Sequence, residues 1–88
     1  MKRSDVYAAH IRWYDSSSMR GWRDNEDLDS IPLLCETIGF VVKETKESLV
    51  ITAHLSFGGP HGDIGQTHSP MTIPRSAIKK VTRLKEPR

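Results

Sequence analysis

Residues 33–57 read LLCETIGFVVKETKESLVITAHLSF, and this stretch decides the fold. Apolar and polar residues alternate on both sides of Thr45-Lys46-Glu47, a pattern typical of two antiparallel strands joined by a short turn. We therefore predict the second strand at Leu33–Glu44 and the third at Leu49–Phe57, with the third as the clearest strand of the chain. Gly39, in the middle of the second strand, predicts a bulge or a sharp bend of the kind that a small barrel requires.

Three further strands are predicted outside this hairpin. The first begins at Tyr7 and ends where Asp15 and three serines favour a turn, the short fourth comprises Met71-Thr72-Ile73, and the fifth spans Ile78–Leu84. Pro74 ends the fourth strand, and Arg75–Ala77 is predicted as a tight turn. Two long loops are expected, at Arg20–Pro32, with one helical turn near Glu26–Asp29, and from Gly58 to Pro70.

A sheet of five short strands leaves unpaired backbone N–H and C=O groups at its two edges. A strongly bent, partly closed sheet covers these groups without additional elements. The predicted fold is therefore all-β, a small five-stranded SH3-like or Sm-like barrel with a long first loop. An OB-fold is the alternative, which the lack of a helical pattern between the third and fourth strands disfavours. One domain is expected over residues 1–88, with a core at 5–84 and a basic tail at 85–88. Because so small a core is marginally stable, we also expect a homo-oligomer.

The composition excludes several classes of protein. Hydrophobic residues make up 36% and charged residues 27%, which is too apolar for a disordered chain. No apolar run approaches the roughly 18 residues of a spanning helix, and no signal peptide is recognised, so we expect no membrane association. The lone Cys35 excludes an internal disulfide and a multi-cysteine zinc site, and favours a reducing compartment.

Positive charge is concentrated at the end of the chain. From Arg75 to Arg88 there are six basic side chains and one acidic one, whereas the other 74 residues carry seven basic and ten acidic groups. Lys79, Lys80 and Arg83 are therefore predicted to contact nucleic acid if this protein binds it. The alternatives are a solvated last strand, or a contact with the acidic segment at 24–29 of another copy.

The strongest local feature is the cluster of aromatic and hydroxyl side chains between Trp13 and Trp22. Indole faces stack on bases, and serine hydroxyls, turn amides and arginines hold phosphate oxygens. Such a pocket would form where this cluster meets Gly58–Gly65 or Arg75 of another copy. The alternative is that Trp13 belongs to the core and Trp22 covers it. The predicted ligand-binding residues are Trp13, Asp15, Ser16, Ser17, Ser18, Arg20, Trp22, His54 and Arg75.

No pattern in the chain indicates catalysis, a metal or a cofactor. There is no Gly-x-Ser-x-Gly elbow and no phosphate-binding Gly-x-x-x-x-Gly-Lys loop. Cys35 shows no local sign of activation and is interpreted as buried packing. His54, His61 and His68 are each seven residues apart, which matches no zinc pattern. We therefore predict a protein that is not an enzyme.

Several fragments, in this order and spacing, resemble a family of short phage and prophage proteins. The fragments are Arg12-Trp13-Tyr14-Asp15-Ser16, Gly21-Trp22, residues 37–44 (TIGFVVKE), residues 49–54 (LVITAH) and residues 73–79 (IPRSAIK). The chain departs from the family pattern at Phe40, Val41 and Arg75, where Trp, Leu and Lys are expected. The resemblance covers most of residues 10–84 and implies a phage origin, a small β-barrel and the host cytoplasm, but no defined activity.

Three functions remain open at this point. The first is a phage accessory protein that binds and sequesters a small nucleotide-like ligand, and so counters host immunity. The second is an Sm-like protein that binds single-stranded nucleic acid. The third is a protein-interaction module that docks a host or virion protein on an exposed sheet edge.

Overall fold

A computed structural model describes residues 1–15, 32–58 and 62–86. Within these ranges the chain is mostly β-structure, which confirms the predicted class. The strands are β1 (Tyr7–Asp15), β2 (Leu33–Glu44), β3 (Ser48–Thr52), β4 (His54–Phe57), β5 (Ile64–His68), β6 (Met71–Pro74) and β7 (Ile78–Arg83). Short 3-10 turns lie at Arg3–Asp5 and at Arg75–Ala77. Most of the predicted first loop, with its helical turn, lies outside the described residues.

Five of the strands form one antiparallel sheet in the order β6-β3-β2-β1-β7, and β4 pairs with β5 in a second, two-stranded sheet. In the larger sheet β2 is the middle strand, and β1 pairs with β2 on one side and with the edge strand β7 on the other. The hydrogen-bonded ladder of the described strands leaves β6 and β7 at its edges. Strand pairing alone therefore does not close it into a barrel.

The core lies on one face of the larger sheet. Residues two apart in a strand point to the same side, so β1 places Ala9 and Ile11 together on this inner face. Tyr7 and Trp13, at neighbouring positions of the same face, pack against the core while staying half-buried. The buried cluster consists of Ala9, Ile11, Val41, Leu49, Ile51 and Ile73.

Gly39 is required by a close approach of backbone. A Cβ atom at this position would lie 2.7 Å from the Thr52 carbonyl oxygen and 3.1 Å from Cγ1 of Ile51. The predicted irregularity does occur in β2, but the register shift falls between Val41 and Lys43, in the pairing with β3. Glycine is thus needed where β2 and β3 come closest, and the bulge follows shortly after it.

The third predicted strand is wrong in its extent. The chain leaves the larger sheet at Ala53, so that Leu49–Phe57 is divided between β3 and β4, and β5 lies in the predicted loop. The buried Thr52 holds this junction, since its hydroxyl donates to the His68 carbonyl at 2.7 Å. Seven strands are therefore described where five are predicted.

The N-terminal residues join the two sheets. The carbonyl of Met1 accepts a hydrogen bond from the Ile64 backbone N–H at 2.8 Å, next to the tip of the β4–β5 hairpin. Arg3 donates to the Val6 carbonyl, forms an ion pair with Glu86 and stacks over the Phe40 ring at 5.2 Å. The segment before β1 thus fastens the hairpin and the end of the chain to the larger sheet.

Candidate functional site

Four of the nine predicted ligand-binding residues can be placed. Ser16, Ser17, Ser18, Arg20 and Trp22 lie outside the described residues. The indole N–H of Trp13 donates to Oγ1 of Thr37 at 2.9 Å, and its ring packs against the core. Asp15 ends β1 opposite Leu33. The contacts of Trp13 thus correspond to the core alternative that its position in the first strand allowed.

The two other predicted site residues lie elsewhere. His54 begins β4 opposite His68. Arg75 begins the second 3-10 turn, and its Nε donates to the Thr45 carbonyl at 2.8 Å, which ties this turn to the β2–β3 connection. These contacts place Trp13, His54 and Arg75 in three separate parts of the described structure. A shared pocket between copies stays a prediction.

A different group of side chains converges on the opposite face of the sheet from the core. The even-numbered positions of β1 point outward, and the strand register sets them beside residues of β2 and β7. We call this group the outer patch. Its members are His10, Arg12, Tyr14, Leu34, Glu36, Ile38, Lys80 and Thr82.

The outer patch exposes apolar and aromatic surface. Ile38 is 69% exposed, Leu34 45% and Tyr14 40%. Leu34 lies directly opposite Tyr14 in the β1–β2 pairing, so a ring and an aliphatic side chain adjoin at the end of the two strands. Exposed apolar side chains that adjoin in this way are typical of a contact surface.

Positive charge adjoins this surface. Glu36 Oε1 lies 3.0 Å from Nε2 of His10 and 3.8 Å from Nε of Arg12. The Nε of Arg12 is buried and has no hydrogen-bond partner in the described part of the chain. Lys80 lies opposite Arg12, and the register shift at this point adds Lys79 beside it. Glu36 thus contacts Arg12 from the β2 side, whereas Lys80 adjoins Arg12 from the β7 side.

Arg83, the third basic residue predicted to contact nucleic acid, lies on the other face. It pairs with the core residue Ala9, and its guanidinium lies 4.2 Å from the centre of the Tyr7 ring. Lys80 faces outward beside Arg12. Arg83 and Lys80 thus lie on opposite faces of β7, and the three cations predicted to contact nucleic acid do not form one cluster.

Sequence reasoning singled out Lys80 but missed Arg12 and Tyr14. Both occupy the polar positions of an alternating strand, where charged and aromatic residues are ordinary. The signal that was present is the combination of His10, Arg12 and Tyr14 on one strand face. Their meeting with Lys80 depends on a strand pairing that spans most of the chain, which no local pattern reveals.

Tyr7 gives the described structure one measurable dependence on pH. Its burial, together with the hydrogen bond it donates to Glu44, raises the pKa of its hydroxyl from 10.0 to about 12. Since the folded state favours the neutral phenol, this stabilisation is complete below pH 10 and is lost as the pH rises towards 12.

We therefore expect the free energy of unfolding of Tyr7→Phe to decline less steeply than that of the natural protein between pH 9.5 and 11.5. Chemical denaturation at several pH values measures both slopes. Because other groups titrate equally in the two proteins, their difference isolates Tyr7. Identical slopes would contradict the raised pKa.

No family model, curated protein or solved structure matches this chain. The resemblance to short phage proteins therefore stays a prediction. In the ranges that the structure describes, no helix has both the length and the apolar character needed to cross a lipid bilayer.

Proposed function

We propose that this protein binds a small nucleotide-like ligand on the outer patch and sequesters it without turnover. One observation carries the proposal: the half-exposed Arg12 side chain lies opposite Lys80, and the exposed Tyr14 ring lies two residues further along the same strand face. Phosphate and base need these two kinds of partner, a cationic fork and an exposed ring.

The cationic half of the patch suits a phosphate group. The planar guanidinium of arginine presents several N–H donors in a fork that matches phosphate oxygens, and lysine adds a mobile charge. Arg12 lies opposite Lys80, with Lys79 next to it. Glu36 carries a single negative charge and therefore offsets only part of the positive charge of Arg12, Lys80 and Lys79.

The apolar half suits a base. Two residues along a strand span about 7 Å, so the Cα atoms of Arg12 and Tyr14 are separated by a distance comparable to that between phosphate and base in a nucleotide. Leu34, opposite Tyr14, extends the surface on which a ring can lie. Stacking on an aromatic side chain contributes about 1–3 kcal/mol per base.

We infer an SH3-like or Sm-like barrel, in which the larger sheet curls around the core and β6 and β7 are joined by the short 3-10 turn. The meander β1-β2-β3 and the return of β7 to β1 support this inference. Phage origin, a role against host immunity, the host cytoplasm and self-association complete the proposal and rest on the resemblance and the small core.

The test is isothermal titration calorimetry with a panel of mono-, cyclic and dinucleotides. We expect Arg12→Gln and Lys80→Gln each to weaken binding of the best ligand by at least tenfold, because each removes a charge-assisted contact to phosphate. Lys46→Gln, in the β2–β3 turn, removes the same charge and is expected to bind normally. The ligand should be recovered intact by mass spectrometry.

If the Lys46 variant bound the ligand as weakly as the Arg12 and Lys80 variants, the loss of affinity would come from the change in net charge and not from contacts in the outer patch. Lack of any binding across the panel would overturn the proposal, and a hydrolysed ligand would overturn its non-catalytic part. Oligonucleotides of increasing length form a second arm of the experiment. Affinity that grows with length and falls steeply with salt would favour the Sm-like function instead, for which Lys79 and Lys80 on an edge strand are the supporting observation.

A further inference from the structure

We propose that His54 and His68 together chelate one divalent transition-metal ion of the zinc class. The two residues are direct cross-strand partners at the base of the β4–β5 hairpin. Their spacing in the sequence matches no zinc motif, because a strand pairing, and not a loop or a helical turn, brings them together. Imidazole nitrogen is a ligand that zinc, copper and nickel ions accept readily.

The ring geometry is close to that of a bound pair. The two ring centroids are 5.6 Å apart and the ring planes meet at 79°. Two imidazoles on one tetrahedral zinc ion, each at a Zn–N distance of about 2.0–2.1 Å, have centroids about 5 Å apart. A small rotation of the side chains therefore brings a nitrogen of each ring onto the same ion.

The backbone beneath the pair is held in place. The hydroxyl of Thr52 donates to the His68 carbonyl at 2.7 Å and lies 3.4 Å from the backbone N–H of His54, so that one buried side chain fixes both strands. Thr52 itself is only 3% exposed. An ion thus meets two side chains whose attachment points are already ordered, which lowers the entropic cost of binding.

There is room for the remaining ligands of the ion. The histidines border a cleft of about 220 Å³, which they share with the adjoining hairpin residues. A water molecule takes about 30 Å³ in the liquid, so the cleft accommodates an ion and its waters. No group of three or more metal-binding side chains occurs in the described ranges, so we assign two protein ligands here and water to the other positions.

The proposal is tested by titrating the natural protein with zinc chloride in a non-chelating buffer, followed by calorimetry. We expect one ion per chain, and at least tenfold weaker binding in both His54→Gln and His68→Gln. Gln66→Ala, two pairs further along the same hairpin, leaves both imidazoles in place; it is the matched control and should bind zinc as the natural protein does. Both histidines are exposed, so the variants should fold, and circular dichroism checks this.

A second readout does not depend on variants. In nuclear magnetic resonance spectra, zinc should shift the ring signals of His54 and His68 together and leave those of His10 in place. Undiminished zinc binding in the double variant, or loss in only one of the two single variants, would overturn the proposal. So would shifts confined to other histidines. The outer patch takes no part in this experiment, so its outcome is independent of nucleotide binding.

Discussion

Gly39→Val is expected to cost about 3 kcal/mol or more of the free energy of unfolding, within the upper range for overpacked sites. The added Cβ would lie 2.7 Å from the Thr52 carbonyl oxygen, which is a backbone atom and cannot turn aside. Ile51 side-chain atoms at 3.1 and 3.3 Å block the other direction. β2 and β3 would have to separate beside the buried core. Denaturant unfolding followed by tryptophan fluorescence measures the loss.

Gly65→Val is the matched control for this substitution. Gly65 also lies in a strand, but the nearest atom to its added Cβ is the Gly58 backbone nitrogen at 3.6 Å, an ordinary contact distance. The change should alter the free energy of unfolding by less than about 1 kcal/mol. Similar losses of stability in the two variants would contradict the prediction. They would mean that valine destabilises any strand glycine position, whether or not backbone atoms approach it closely.

Strands of the larger sheet could be predicted because they carry the core. β2 has the predicted bounds, and β1, β6 and β7 differ from the predictions by a residue or so at their ends. Each of the strands that build the core has alternate residues pointing into it, so the period of two is visible in the sequence. The turn at Arg75–Ala77 was equally visible, since Pro74 cannot donate to a ladder.

The second sheet could not be predicted, because almost nothing on it is buried. Leu55 and Phe57 continue the alternation of β3 beyond the core, and Phe57 is 55% exposed. The alternating pattern therefore predicts one strand that continues beyond Ala53, whereas the chain leaves the larger sheet at this residue. β5 shows little alternation of its own, since Gly65 and Gln66 have no core to face.

Residues brought together by strand register escaped the sequence reasoning for a similar reason. Arg12 and Lys80 are far apart in the chain, and only the pairing of β1 with β7 sets them side by side. Trp13 attracted attention as a stacking residue, whereas its bond to Thr37 places it with the core. Local composition thus indicates which residue types are available, and register decides which of them meet.

Ile11→Ala is expected to cost about 2–5 kcal/mol, the range typical of an aliphatic side chain removed from a packed core. Ile11 is fully buried on the interior strand β1, where it shares the core with Leu49 and Ile73. Because β1 is paired with β2 on one side and with β7 on the other, the neighbouring strands cannot fully collapse into the space left behind. Since a domain of this kind has only about 5–15 kcal/mol in total, equilibrium denaturation will detect the change clearly.

Ile38→Ala removes the same atoms from the other face and separates stability from binding. Ile38 is 69% exposed, so we expect a loss of less than about 1 kcal/mol in unfolding free energy. Because Ile38 belongs to the outer patch, the same variant should bind the nucleotide a few-fold more weakly, in proportion to the apolar area that the ligand covers. A large loss of stability would place Ile38 in a buried environment. Unchanged binding would mean that the ligand does not touch Ile38 and lies only at the Tyr14 end of the patch.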